Sequence, residues 1–493
     1  MVYLFIPLIV AVYFLYLGFY QVWSPNEAFY AEATRRMLQD GDFINPYYNG
    51  ELRLNKPPMT YWLVSIGYAI IGINEWGLRF MHAILGVLTG LVTLLTAKEL
   101  TGSWRVGAMS FVILTLSIQF FANAQYASPE IPFTFFITLS LYLWLLYYRR
   151  KKLIFLVLAF ISSSLAILVK GPAGFVLPAG VVFLYLLFTN AKELLKYRYY
   201  ILSLVALILG LWWHIYQLFD KGALFWEVFY KENIKRIYHG AESFYFYFLD
   251  LNVSFLPYSL MVFPALFWVI FKLKKEYLFP LMWFGFIYAL FSFVSQKIPV
   301  YVLPAFPSLA IITSGFILSQ DWEKIKRFIA LFISSLMMLV IILAVFLFSL
   351  NPAFLLLLPL PFLVYLKEYK LSPAMSGFVL AVFLKLGLLT YLEGDRNVDK
   401  LGEFVKELDP NGSRPTYQMG HFNHNLPFYA DRRIIREGVP QRGALVIFPL
   451  GSFSGCEPLK TFRLYTGSES RLFRFLMDAK RGKKFADFGV CLY

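Results

Sequence analysis

The chain has 493 residues, of which 59% are hydrophobic and 15% charged, with a formal net charge of +15. A soluble protein of this size carries about 25% charged residues and about 45–50% apolar ones, so a water-soluble globular protein is excluded. Most of the lysines and arginines sit in short clusters beside apolar runs, as in proteins whose basic residues set membrane orientation, which argues against nucleic acid as a partner. Two cysteines exclude a disulfide framework or a cysteine zinc site.

Apolar runs of the length a bilayer requires predict an α-helical polytopic membrane protein. About thirteen spans are expected, at 2–21, 77–98, 105–124, 129–148, 153–170, 173–189, 200–218, 256–272, 278–295, 299–318, 328–349, 352–366 and 372–392. The first has no small-residue cleavage site and is expected to stay as an anchor. Pro57–Ile73 is apolar but short and opens on Pro-Pro, so a re-entrant or interfacial helix is expected there.

Lysine and arginine decide orientation. Lys98/Arg105, Arg149-Arg-Lys-Lys152, Lys192/Lys196/Arg198, Lys272/Lys274/Lys275, Lys324/Lys326/Arg327 and Lys367/Lys370 fall at alternate junctions, taken as the cytoplasmic ends. The N-terminus is then cytoplasmic, and the loops at 22–76 and 219–255 lie on the opposite face with the C-terminal tail. Residues 1–393 are expected to form the membrane catalytic domain and 394–493 a small extracytoplasmic α/β domain. Within the tail, 398–408 and Ser470–Arg481 read as helices, and Pro415–Met419 and Ala444–Phe448 as strands. Cys456 and Cys491 both fall in it, as a disulfide or as two buried thiols.

Cations on the outer face are informative because orientation does not require them. Arg53, Lys56, Lys170, Arg236 and Lys297 are among them, and three lie beside helix breakers: Asn55-Lys56-Pro-Pro, Lys170-Gly-Pro and Gln296-Lys297-Ile-Pro. Such a set suits an anionic ligand, phosphate above all; snorkelling to lipid headgroups is the alternative for any one of them. Glu27 follows Pro25-Asn26 at the start of a predicted helix, and Glu130 opens another in Ser128-Pro-Glu130-Ile-Pro. Either can be a functional carboxylate or a cap favoured by the helix dipole. His214, His239, His421 and His424 lack ligand-like spacing with carboxylates, so no metal site is assigned; no cofactor is required, and divalent-metal dependence stays open.

Pro25-Asn-Glu-Ala-Phe-Tyr-Ala-Glu32, Asp40-Gly-Asp-Phe-Ile-Asn-Pro46, Asn55-Lys-Pro-Pro-Met-Thr-Tyr-Trp-Leu63, Lys170-Gly-Pro and Lys297-Ile-Pro-Val-Tyr-Val-Leu-Pro304 resemble motifs of polyprenyl-phosphate-sugar-dependent glycosyltransferases of the GT-C class. The resemblance covers most of the chain. Its relatives are the protein O-mannosyltransferases and, more closely, the bacterial lipid A aminoarabinose transferases. It implies an enzyme of the bacterial inner membrane that moves a sugar, with inversion, from a polyprenyl-phosphate donor to lipid A or a related glycolipid on the periplasmic face. Lys56, Arg236 and Tyr301 correspond to donor-phosphate contacts; Arg53, Lys170 and Lys297 would bind acceptor or donor, span walls rich in Phe and Leu would hold the polyprenyl tail, and membrane lipid is a further partner.

Two positions depart from the family pattern. Asn26 stands where relatives carry aspartate, and Asn55 where they commonly carry glutamate. An amide cannot accept a proton, so among the catalytic candidates Asn26, Glu27 and Glu130 the base is Glu27 or Glu130, or no strong base is needed. The last option suits a phosphate acceptor, which with a second pKa of about 6 is already an anion. The alternatives are transfer to protein hydroxyls and a secondary transporter of a lipid-linked sugar or organic anion.

Overall fold

The structure, a computed structural model, describes residues 1–436, 438–470 and 472–493. Every expected span contains helix. Among the described residues, eight helices are long and apolar enough to cross a membrane, and the bent pair Trp104–Leu116 and Ile118–Ala124 makes a ninth. Val2–Phe14, Ala173–Thr189 and Ser259–Phe271 are shorter apolar helices, and the run Pro352–Glu393 holds two of the expected spans. The protein is a polytopic helical membrane protein, with fewer helices able to cross unaided than the thirteen expected.

Local chemistry sets the helix ends. Asn74 caps Glu75–Thr101 by accepting from the Gly77 amide at 2.9 Å, and Gly102, at φ 74°, ends that helix in the left-handed conformation. The bent pair turns by 71° at Ser117, where the Ile118 amide leaves the helix ladder and donates to the Leu256 carbonyl at 2.8 Å. Met59–Ile71, within the expected interfacial segment, has 13 residues. That is about 20 Å of helix, too short for a hydrocarbon core of about 30 Å.

The first span departs from expectation. Its helix ends at Phe14 instead of continuing to residue 21. Beyond it the backbone carbonyls of Leu17, Tyr20 and Gln21 accept hydrogen bonds of 2.8–2.9 Å from Arg79. The chain turns at Tyr16, which takes the left-handed conformation at φ 54°, and Arg79 holds the segment beyond it through these three carbonyls.

After Glu393 the chain forms an α/β unit. The strands are β1 (Tyr47–Tyr48) and β2 (Glu51–Leu52), a small hairpin in the first loop, then β3 (Thr416–Gln418), β4 (Ile434–Arg436), β5 (Leu445–Pro449), β6 (Lys460–Tyr465) and β7 (Phe485–Leu492). The second sheet has the order β4-β3-β5-β7-β6, with β3 parallel to β4 and β5, and β7 antiparallel to β5 and β6. Helices Val398–Leu408 and Leu472–Arg481 match the expected ones, whereas β4, β6 and β7 were not anticipated. Cys456 and Cys491 form a disulfide, with Cα atoms 6.1 Å apart, joining the segment before β6 to β7.

This unit shares its apolar core with the first loop: Leu401, Leu426, Ile434 and Ile447 pack in one cluster with Val22, Ala28, Ala31 and Leu78. Ion pairs run along the seam. Arg396 is buried against Glu393 at 3.1 Å and Glu469 at 2.8 Å while donating to the Gln21 and Val22 carbonyls. Arg35 pairs with both Glu32 and Asp431. The first loop is thus held from both sides, by the membrane helices and by the sheet unit.

Candidate active site

The helix Asn26–Asp40 lies along this seam, and its first turn holds two of the expected catalytic positions. Glu27 is completely buried. Its Oε1 accepts from Arg79 Nε at 2.8 Å and the Ala127 amide at 2.9 Å, its Oε2 from Arg79 Nη2 at 2.7 Å and the Trp23 amide at 2.9 Å. Two donors on each oxygen leave no site for a substrate proton, so the expectation of Glu27 as a base does not fit its surroundings. It anchors Arg79, and through it the unwound end of the first span. Asn26 is exposed next to Tyr126.

Glu130 differs in kind. It opens the helix Glu130–Arg150, pairs through Oε1 with Lys170 Nζ at 3.0 Å, and keeps a buried Oε2 with no hydrogen-bond partner. Lys170 ends the helix Leu153–Lys170 because Gly171, at φ 76° and ψ −156°, turns the chain away. Its ammonium lies 5.7 Å from the Tyr301 ring centroid and 5.3 Å from that of Phe133.

Lys56, Arg236 and Tyr301, far apart in sequence, meet around a residue that sequence reasoning missed. Glu232 Oε2 lies 3.0 Å from Lys56 Nζ and 2.8 Å from Arg236 Nη2. Arg236 Nη1 donates to the Tyr301 hydroxyl at 2.7 Å. Two backbone bonds hold the arginine in place: the Ser295 and Gln296 amides donate to the carbonyls of Ile237 and Arg236 at 3.0 and 3.1 Å. The spacing of Glu232 and Arg236, four residues apart on a predicted outer loop, was the available signal for an intrahelical pair.

Burial pulls the Lys56 ammonium below its ordinary pKa, although Glu232 opposes that. Burial alone would raise the Glu232 carboxyl, but Lys56 and Arg236 outweigh it and hold the group below the usual carboxylate range. A narrow cleft opens here, lined by Lys56, Lys170, Trp213, His214, Glu232 and Asn233 among others. His214 was not selected from the sequence; its ring sits against Gly171, where an added Cβ would lie 3.4 Å from Nε2.

The other expected binding residues are placed differently. Arg53 donates to the Tyr61 hydroxyl at 2.6 Å and lies 4.3 Å from the Phe29 ring centroid, tying the helices Asn26–Asp40 and Met59–Ile71 together. Lys297 is buried, with its ammonium on the carbonyls of Val294 at 2.7 Å and Glu242 at 3.3 Å. Its charge is spent on backbone and it does not join the Glu232 cluster. Among the described residues no three His, Cys, Asp or Glu side chains gather as metal ligands.

Helices surrounding a polar cluster at one rim, with a small α/β unit over the first loop, define a membrane enzyme of the GT-C class. Residues 1–229 match the dolichyl-phosphate-mannose-protein mannosyltransferase family. A protein of Aquifex aeolicus, described as uncharacterized, is 51% identical over 99% of this chain and 98% of its own length. An undecaprenyl phosphate-alpha-4-amino-4-deoxy-L-arabinose arabinosyl transferase of Pseudomonas fluorescens is 29% identical over 61% of this chain, which covers 56% of that relative's length. The crystal structure of ArnT from Cupriavidus metallidurans bound to undecaprenyl phosphate has a TM-score of 0.78 at 21% identity, covering 91% of this chain and 93% of that one. The oligosaccharyltransferase of Archaeoglobus fulgidus has a TM-score of 0.55 at 14% identity, covering 88% of this chain and 64% of that one. The chain belongs to the polyprenyl-phosphate-sugar-dependent glycosyltransferases of the GT-C class. That membership sets aside the transporter alternative.

Proposed function

We propose that the protein transfers a sugar from a polyprenyl-phosphate donor to a phosphate of lipid A or a related glycolipid, at the periplasmic face of a bacterial inner membrane. The observation that carries this reading is the meeting of Lys56, Arg236 and Tyr301 at one point on the rim. A phosphate leaving group needs cations and a hydroxyl donor fixed in advance of the reaction, and these three side chains supply them.

The donor is a phosphodiester with one negative charge. The C1–O bond to the sugar breaks with its electron pair passing to the phosphate oxygen, and the lipid phosphate leaves with a second charge. Lys56 and Arg236 meet that developing charge, and the Tyr301 hydroxyl donates to the same oxygen. The acceptor oxyanion forms the new bond to C1 from the opposite side, inverting the carbon. A phosphate acceptor needs no deprotonation, in keeping with Asn26 where relatives carry an acid. Lys170 would hold the acceptor phosphate, and Arg53 would keep the wall behind it in place.

One observation favours a second acceptor class. The free Oε2 of Glu130 can take a proton from a hydroxyl, which would serve a protein serine or threonine. Supplying the purified protein with polyprenyl-linked sugar and both acceptors separates the two. Mass gain on lipid A lost in Lys56→Ala supports the phosphate acceptor; sugar on polypeptide alone overturns it.

A further inference from the structure

Glu232 has no part in the transfer step above, yet it occupies its centre. One oxygen of this carboxylate is shared between Lys56 at 3.0 Å and Arg236 at 2.8 Å, the two cations assigned to the leaving phosphate. It lies in the five-residue π-helical turn Tyr230–Ile234, next to Lys235–Tyr238, the short helix that carries Arg236. Turns of this kind are frequent at functional sites, and the helix ladder is locally loosened there. Lys56 and Glu232 are both largely withdrawn from water, so the pair is neither a surface accident nor fixed in a sealed core.

We propose that Glu232 is an internal stand-in for the donor phosphate, which the phosphate displaces on binding and which reclaims the cations when the lipid phosphate leaves. The inference rests on the donor-phosphate reading of Lys56 and Arg236. Two partly buried cations without an anion between them repel each other and lose solvation. A carboxylate held on a loosened turn removes that penalty in the empty enzyme without sealing the site. It matters most after transfer. The product carries one more negative charge than the donor, so the cations that lower the barrier also hold the product more tightly than the substrate. Competition from Glu232 for the same two cations weakens that grip and lets the site turn over. Glu232 is therefore a positioning residue governing exchange of lipid phosphate, and the chemical step does not use it.

The test is the sign of the change in affinity. Undecaprenyl phosphate is titrated into the full-length protein in detergent, followed by tryptophan fluorescence, for wild type, Glu232→Gln, Glu232→Asp and Lys56→Ala. The amide in Glu232→Gln keeps the shape and removes the competing charge, so binding is expected to tighten at least tenfold. Steady-state turnover should fall by a similar factor while the first turnover proceeds at the wild-type rate. Glu232→Asp, which keeps the charge with a shorter reach, should tighten binding by less and serves if the amide variant does not fold. Unchanged or weaker binding in both variants, beside a clear loss in Lys56→Ala, overturns the stand-in and leaves the donor-phosphate reading standing. Equal binding by wild type and Lys56→Ala removes the donor-phosphate reading and the inference with it.

Discussion

At the scale of single residues, two glutamates near the same rim have different work because their partners differ. Glu27 is enclosed by four donors and Glu130 keeps one oxygen free. Removing one member of a buried ion pair costs about 3–5 kcal/mol. Glu27→Ala should therefore lower the thermal unfolding midpoint markedly, and Glu130→Gln, which leaves the partly exposed Lys170 without its partner, should lower it by less. If Glu130 handles a hydroxyl proton, Glu130→Gln should also lower transfer to hydroxyl acceptors by roughly 10²–10⁴-fold and spare phosphate acceptors. Lys56 adds a pH test. Burial, partly opposed by Glu232, lowers its pKa from the ordinary 10.5, so its charge is lost at a pH below that value as the solution becomes alkaline. Lipid-phosphate affinity should fall along that limb, and Lys56→Arg, charged throughout, should abolish the fall. A limb unchanged in Lys56→Arg would assign the titration elsewhere.

At the scale of elements, the first loop works because it is clamped. Arg79 holds the unwound end of the first span, and Arg396 holds the carbonyls of Gln21 and Val22 from the other side. Arg396→Ala should leave the membrane helices intact but raise amide exchange in residues 20–40 and in β3–β5. Reducing the Cys456–Cys491 disulfide removes a loop constraint of roughly 2–4 kcal/mol and should loosen β6 and β7 alone. The helices Val398–Leu408 and Leu472–Arg481 of the sheet unit were legible because periodicity is a local signal, whereas the five-residue Leu426–Ala430 was too short to show one. β4, β6 and β7 were not, because they are short or mixed in polarity and exist through pairing with distant strands. The end of the first span at Phe14 was hidden for a similar reason: apolar residues continue to 20, and the segment beyond the helix is held by Arg79, some sixty residues on.

At the scale of the whole molecule, the parts of the site that could be read were those beside helix breakers. Lys56 before Pro-Pro, Lys170 before Gly-Pro and Tyr301 after Lys297-Ile-Pro mark span mouths. Their residues 56, 170 and 301 reach one rim although the chain separates them widely. Glu232 was missed because its loop has no span-mouth signature: its spacing to Arg236 signals only a local pair, and its link to Lys56 lies far off in the chain. Lys297 shows the converse, a motif lysine whose charge is consumed by local carbonyls. The molecule thus gathers at one rim the cations that the proposed function assigns to a membrane-borne phosphate.

The most direct test of that account is sugar transfer by the purified protein in liposomes holding a polyprenyl-phosphate-linked sugar and lipid A. Free polyprenyl phosphate and the lipid A mass are followed together in wild type and Lys56→Ala. The account predicts equal release of polyprenyl phosphate and gain of sugar on lipid A, both reduced at least about 100-fold in the folded variant. Full transfer by Lys56→Ala, or donor consumption with no sugar on lipid A, would contradict it.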